Sequence, residues 1–172
     1  MLMDVGMWHI GHDMQTGDHQ NDIVQQAKWR NFNAFVNRLR KANILRTGWY
    51  NVSIGLEPGE ETNRPFAHDY PLELKINIAT DLLLIAGDRL IERTQDLKQY
   101  MEIHGLGPYI ENRDIWTGPD GCVCIERWEF WARRLRNIAR DEKTFGTDTR
   151  KQAAEAEDWI LSRIKCAVDQ LD

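Results

Sequence analysis

The residues best suited to chemistry lie near the N-terminus, in the run His9-Ile10-Gly11-His12-Asp13. If this segment is helical, His9 and Asp13 are four residues apart and share one face. A carboxylate beside an imidazole fixes its tautomer and stabilises the imidazolium, so the pair could act as a general base and its orienting group. Two other interpretations stay open. One is a solvated helix end without function; the other is a metal site, although the run lacks the spacing and the glutamate of the HExxH pattern.

A second cluster of candidates lies further along the chain, where Glu126 and Arg127 are adjacent among aromatic residues. A carboxylate in the first turn of a helix is stabilised by the helix dipole, which gives Glu126 a structural role or, alternatively, that of a proton donor. Arg127 could pair with a buried carboxylate such as Glu57 and fix a loop. It could instead face a ligand while stacked on Trp116. The residues predicted to be catalytic are His9, Asp13 and Glu126.

The chain contains seven tryptophans, a large number for 172 residues. Most should pack in the core, because an indole has a large apolar contact area. One or two could line a cavity, where a flat and rigid ring suits a planar ligand. The residues predicted to bind a ligand are Trp8, Trp49, Trp116, Arg127, Trp128 and Trp131.

Cys122 and Cys124 precede a predicted helix, a position that lowers the pKa of a thiol and raises its reactivity. Two structural thiols are the alternative, because no second cysteine pair accompanies them and redox motifs usually place two residues between the thiols. The chain has three cysteines in all. This odd number predicts reduced thiols in a cytoplasmic protein, not a disulfide framework.

Composition and charge exclude several classes of function. Hydrophobic residues make up 42% and charged residues 28% of the chain, which is typical of a globular protein. The net charge of -5 disfavours a nucleic-acid or anionic-membrane partner, since both favour a basic surface. No apolar run approaches the roughly 20 residues that a membrane helix needs. The N-terminal residues lack the basic-then-apolar order of a secretory signal. We expect one domain, residues 1–172.

Apolar residues recur with helical spacing, and no segment alternates for long with a period of two. Predicted helices cover residues 3–14, 22–42, 72–104 with a break allowed near position 87, a segment from about 124, and a segment from 147. The inward side chains expected on the second of these are Val24, Phe32, Phe35, Val36 and Leu39. On the third, a solvated face is expected at Asn77, Asp81, Asp88 and Glu92. Thr149 and Gln152 could form a capping box in the last.

The expected fold is all-α, an irregular bundle of five to six helices with one long loop rich in Gly and Pro. That loop includes Gly107-Pro108 and the run Gly118-Pro119-Asp120-Gly121. Gly105 is expected to end the helix before it, since glycine readily adopts the conformation of a C-terminal cap.

Four segments together resemble a fungal family catalogued as domain of unknown function 3632. The matching runs are Trp29-Arg30-Asn31-Phe32-Asn33-Ala34-Phe35 with Arg38-Leu39, Leu56-Glu57, Ala86-Gly87-Asp88-Arg89-Leu90, and Glu126-Arg127-Trp128-Glu129-Phe130-Trp131 after Gly118 and Gly121. The chain departs from the family at Cys122-Val123-Cys124, where a Phe and a small hydroxyl residue are expected, and its N-terminal arm is shorter. The resemblance implies an all-helical cytosolic fungal protein, in some members near secondary-metabolite genes. It supplies no catalytic residues.

Two functions are consistent with these features. The first is a cofactor-independent fungal enzyme of secondary metabolism, an isomerase, cyclase or dehydratase, that binds a hydrophobic small-molecule substrate and no metal. The second is a non-catalytic helical scaffold or protein-interaction module. An enzyme should contain a closed, Trp-lined pocket with a volume of about 300–1,000 Å³, the usual range for a small-molecule site. A scaffold should have a filled core and exposed apolar side chains. A homodimer is compatible with both.

Overall fold

The computed structural model describes residues 23–45, 52, 55–57, 71–111, 115–119 and 122–168. Within these residues the chain forms helices and no strand, which confirms the all-α prediction. The helices are α1 (Ile23–Lys41), α2 (Leu72–Ile91), α3 (Leu97–Ile103), α4 (Ile125–Arg140) and α5 (Thr147–Val168). None of the described helices is long and apolar enough to cross a membrane.

Helix α2 lies at the centre of the fold. It packs against α1 and against α5, and α5 in turn packs against α4. Its middle is buried on most sides, as the sequence predicts, since Ala79, Leu82 and Leu83 have no accessible surface. A helix that is apolar around most of its circumference is stable only inside a protein. The core therefore forms around α2.

The long helix expected over residues 72–104 is two helices. α2 ends at Ile91, and α3 begins after Asp96, whose carboxylate accepts a hydrogen bond from the backbone N–H of Gln99 at 2.7 Å. An aspartate at this position satisfies an N–H that the first turn leaves without a partner. The break therefore lies at residues 92–96. The break allowed near Gly87 was wrong, because α2 continues through it.

Gly105 ends α3 as predicted. Its φ of 64° is in the left-handed region, where glycine carries no steric penalty. The N–H of Leu106 donates to the carbonyl of Met101 at 2.9 Å, and that of Gly105 donates to the carbonyl of Glu102 at 3.3 Å. These two bonds form a Schellman cap, which directs the chain away from the helix axis into the following loop.

Two side chains of α1 point away from the core, and their predicted inward orientation was wrong. Val24 is 59% exposed and Phe35 is 53% exposed. Val36 is buried as predicted, together with Asn33 and Asn37, which the prediction did not include. The contact with α2 therefore covers a more polar face of α1 than apolar spacing indicated.

The predicted solvated face of α2 is in part a polar contact with α5. The hydroxyl of Thr149 donates to Glu73 at 2.7 Å and is 3.0 Å from Oδ1 of Asn77. The amide of Gln152 donates to Asp81, whose carboxylate is 14% exposed. Thr149 and Gln152 therefore bond to α2 and do not form the capping box, because α5 already begins at Thr147.

Candidate functional site

The first turns of α4 direct a group of large side chains into the core. Cys124 is the residue before the helix, in extended conformation, so that α4 begins at Ile125 as predicted. Residues at positions three and four apart share a helix face. Arg127, Trp128 and Trp131 consequently point inward, and none of the three has any accessible surface.

Arg127 forms a buried, two-pronged ion pair with Glu57. Its Nε donates to Oε1 and its Nη2 donates to Oε2, both at 2.7 Å. Both side chains are at most 1% exposed. The planar guanidinium matches a carboxylate in this geometry, which makes the pair stronger and more directional than a single bond. The predicted pairing of Arg127 with Glu57 is confirmed.

Further hydrogen bonds satisfy the remaining polar atoms of this pair. The indole Nε1 of Trp131 donates to Oε1 of Glu57 at 2.7 Å. The Nη1 of Arg127 donates to the carbonyls of Cys122 at 2.9 Å and Pro119 at 3.3 Å. A buried charge is tolerated only when it is paired and hydrogen-bonded. We call these five residues, Glu57, Pro119, Cys122, Arg127 and Trp131, the arginine–glutamate centre.

Aromatic rings enclose the guanidinium from two sides. Its Cζ lies 5.0 Å from the ring centroid of Trp116 and 5.6 Å from that of Trp131. A cation above an indole face is attracted by the ring quadrupole, and the attraction strengthens when water is excluded. The stacking of Arg127 on Trp116 is therefore present, but around a guanidinium that Glu57 already neutralises.

The predicted ligand-binding residues on α4 lie in closely packed surroundings. Trp128 and Trp131 pack edge to face with their ring centroids 5.0 Å apart, and both are 0% exposed. The Nε1 of Trp128 donates to the hydroxyl of Thr94 at 3.0 Å. Because an atom that borders a water-sized space has accessible surface, the described residues leave no such space beside these indoles. Trp116 is 6% exposed. The binding of a ligand by these residues stays a prediction.

A comparison of the sequence with protein-family models matches most of this chain to one family. The model described as "Protein of unknown function (DUF3632)" matches residues 6–135. This chain belongs to the DUF3632 family. No curated protein and no solved structure shows significant similarity to it.

The DUF3632 match contains the whole arginine–glutamate centre and ends within α4, before α5 begins. The run Glu126 to Trp131, the most specific part of the resemblance, supplies two members of the centre. A motif whose side chains hold three chain segments together explains a fold. It does not by itself indicate a reaction.

Of the three predicted catalytic residues, the described part of the chain includes Glu126. Glu126 is exposed in the first turn of α4, where the helix dipole favours a carboxylate. His9 and Asp13 lie outside the described residues, as do the predicted ligand-binding residues Trp8 and Trp49. Their roles stay predictions.

The two cysteines before α4 are buried, structural thiols. Burial raises the pKa of Cys122, and it raises the pKa of Cys124 further, because an apolar environment disfavours the thiolate. This outweighs the effect of the helix N-terminus on reactivity, so the structural alternative holds. Cys166, near the end of α5, is exposed.

Sequence reasoning missed one concave site. A surface pocket of about 360 Å³ lies beside α3 and is open to solvent. Its lining consists of Thr94, Gln95, Asp96, Gln99, Tyr100, Ile103 and His104. The rings of Tyr100 and His104 lie 4.3 Å apart, centroid to centroid. Their spacing of four residues on a helix was a signal for this contact. Glu126 does not line this pocket.

Proposed function

We propose that this chain is a non-catalytic helical module that binds a protein partner. The observation that carries the proposal is the complete burial of Trp128 and Trp131. The sequence predicted a cavity lined by these two indoles, and among the described residues their surroundings are filled by side chains. The chemistry-bearing residue of the same segment, Arg127, is fully occupied by Glu57 and backbone carbonyls.

Exposed apolar side chains from the last residue of α3 onward supply a binding surface. We call them the apolar loop; they are Ile103, Leu106, Ile110 and Ile115, which are 71%, 46%, 74% and 48% exposed. Burying one such side chain stabilises a complex by about 1.5–3 kcal/mol before association costs are subtracted. Single exposed apolar residues are common, whereas several within one short segment are typical of an interaction site.

Three local contacts order this loop. The Schellman cap fixes its start through Leu106, and the ring of Tyr109 packs on Trp116 with centroids 5.4 Å apart. The hydroxyl of Thr117 donates to the carbonyl of Ile110 at 2.5 Å. A surface that is ordered before binding loses less conformational entropy when the partner docks.

The pocket beside α3 adds a receptacle at one end of the apolar loop, since Ile103 belongs to both. Its volume of about 360 Å³ accommodates one or two side chains of a partner, while Gln95 and Gln99 offer donors and acceptors. An apolar anchor inserted into a pocket with a polar rim is the usual form of a binding hot spot.

A site-specific photo-crosslinker tests the proposal. The photoreactive residue replaces Ile110 in the full-length chain, expressed in its native cell. The matched control replaces Lys143, which is exposed in the turn between α4 and α5. A discrete protein adduct at position 110, absent at position 143, and lost on Ile103→Ser, is expected.

The predicted cofactor-independent isomerase, cyclase or dehydratase is the second candidate, and the pocket beside α3 favours it because Tyr100 and His104 could handle protons there. Native mass spectrometry of the purified chain separates the two functions. A bound hydrophobic small molecule, together with no adduct at position 110, would overturn the interaction module. Fungal origin, a role in secondary metabolism and a cytoplasmic location stay predictions; the free thiols support the last of these.

A further inference from the structure

Helix α1 has a charge opposite to that of the rest of the chain. It carries five cationic residues and no acidic residue, namely Lys28, Arg30, Arg38, Arg40 and Lys41. The whole chain has a formal net charge of -5, so the remainder outside α1 has a formal net charge of -10. Separated charge of this size favours association with a surface of the opposite sign.

The outer face of α1 is an amphipathic, basic stripe. Its residues follow helical spacing and are all exposed: Val24, Lys28, Asn31, Phe35 and Arg38. Lys28 and Arg38 form no ion pair with any described residue. They lie ten residues apart, which corresponds to about 15 Å along a helix. Phe35 is 53% exposed between them.

The outer face of α5 has the complementary pattern. Asp148, Lys151, Glu155 and Asp158 follow the same spacing and are all exposed. Asp148 and Asp158 are also ten residues apart, about 15 Å along the helix. If α1 lies antiparallel to such a face, Lys28 meets Asp158 and Arg38 meets Asp148. The same register places Phe35 opposite Lys151, a cation–π arrangement.

The arrangement of helices within one chain allows two such α1–α5 contacts to form between two copies. α1 and α2 run in the same direction, because Arg30 bonds to Asp81 and, further along both, Arg89 donates to the carbonyl of Lys41. Gln152 accepts from Arg30, so α5 adjoins α1. α5 follows α2 in the same sense, from Thr149 beside Glu73 to Arg163 beside Asp88.

Within one chain, α1 and α5 run in the same direction. A two-fold axis perpendicular to both helices places α1 of one copy antiparallel to α5 of the other. It therefore brings α1 of each chain onto α5 of the other, and the two contacts are identical. Such a closed, self-complementary interface is the commonest kind in homo-oligomers.

We propose that the outer faces of α1 and α5 form the interface of a homodimer, in which Lys28 and Arg38 of one chain pair with Asp158 and Asp148 of the other. The inference goes beyond the proposed function, since a dimer is compatible with an enzyme and with an interaction module. It also concerns a surface different from the apolar loop.

Analytical ultracentrifugation of charge-reversed variants tests this interface. One variant carries Lys28→Glu and Arg38→Glu; the other carries Asp148→Lys and Asp158→Lys. The wild-type chain is expected to dimerise, with a dissociation constant at least about tenfold higher in 0.5 M salt, where the Debye length falls well below 10 Å. Each variant alone should be monomeric, because both of its contacts become repulsive.

A mixture of the two variants tests whether the charge pairs themselves form the interface. Each contact in the mixed pair again joins opposite charges, so a heterodimer should form with wild-type-like affinity. This rescue also shows that both variants are folded. Lys98→Glu, an exposed reversal on α3, is the control and should leave the wild-type dimer intact.

Three results would each overturn the proposal. The first is a wild-type chain that stays monomeric at protein concentrations up to about 100 μM, which is 100-fold above a micromolar dissociation constant. The second is a charge-reversed variant that still dimerises. The third is a mixture of the two variants that stays monomeric. Binding of the monomeric wild type to vesicles of phosphatidylserine, lost in the α1 variant, would assign this face to a membrane instead.

Discussion

The indole of Trp159 lies directly against the backbone of α2 at Gly87. A Cβ placed on Gly87 would be 2.3 Å from Cη2 of the ring, far inside van der Waals contact. Glycine costs about 1 kcal/mol relative to alanine in a helix interior, yet here it lets α5 approach α2 closely. The same indole packs on Trp128, with ring centroids 6.0 Å apart, so this contact links α2, α4 and α5.

Replacing Gly87 by alanine should therefore destabilise the protein despite the gain in helix propensity. Overpacking typically costs about 1–3 kcal/mol, and the propensity gain offsets about 1 kcal/mol of it. A contact of 2.3 Å belongs to the upper end of the overpacking range, so we expect a net loss of about 2 kcal/mol in the free energy of unfolding by urea. Gly107→Ala is the matched control, because nothing lies within 4 Å of its added Cβ. A Gly87→Ala variant as stable as the wild type would contradict the contact.

Removing one partner of the Glu57–Arg127 pair should be far worse than removing both. Arg127→Met leaves a buried, uncompensated carboxylate and should cost about 3–5 kcal/mol. Adding Glu57→Leu to it should recover part of that loss, because no charge then stays buried. Urea unfolding of the two single variants and the double variant measures the coupling. In the exposed pair Arg89–Glu92, Glu92→Gln should change stability by less than about 1 kcal/mol. Strictly additive losses at positions 57 and 127 would refute the pairing.

The hydroxyl of Thr149 should stabilise the contact of α5 with α2. Thr149→Val keeps the shape of the side chain but removes the hydroxyl that donates to Glu73 and lies 3.0 Å from Oδ1 of Asn77. The loss of a hydrogen bond to a charged group costs about 1.5–3 kcal/mol, and here the backbone N–H of Gly146 still donates to Glu73, so we expect the lower end of that range. Thermal and urea unfolding should both register the loss. Thr147→Val, at an exposed position in the same turn, should have little effect. Equal losses at the two positions would point to helix propensity as the cause.

Native protein should expose one thiol to a small thiol reagent at neutral pH, that of Cys166. Cys122 and Cys124 should react only after unfolding, because burial raises their pKa and excludes the reagent. The raised pKa also has a consequence for stability. The contribution of these thiols is fully present below the pKa of the unfolded chain, about 8.5, and is lost as pH rises above it. Cys122→Ala with Cys124→Ala should flatten the fall in stability above that pH. Rapid labelling of all three thiols in the folded chain would rule out their burial.

The sequence by itself determined the helical class, the start of α4 and the Gly105 cap, and it offered Glu57 as a candidate partner for Arg127. These follow from local rules: the period of apolar residues, the backbone preferences of glycine, and the cost of burying an arginine without a carboxylate. The family resemblance, drawn from the same residues, is confirmed by the match over residues 6–135.

Only the tertiary structure decided which faces of these helices are buried. Amphipathic spacing on α1 and α2 is compatible with more than one partner, and the partner sets whether Phe35 is covered or Asp81 is solvated. The packing of Trp128 and Trp131 was likewise beyond the sequence, because an indole fills a core or lines a cavity with the same local pattern. Whether it does one or the other depends on the volume left by side chains distant in the chain, and that volume exists only once the helices have packed.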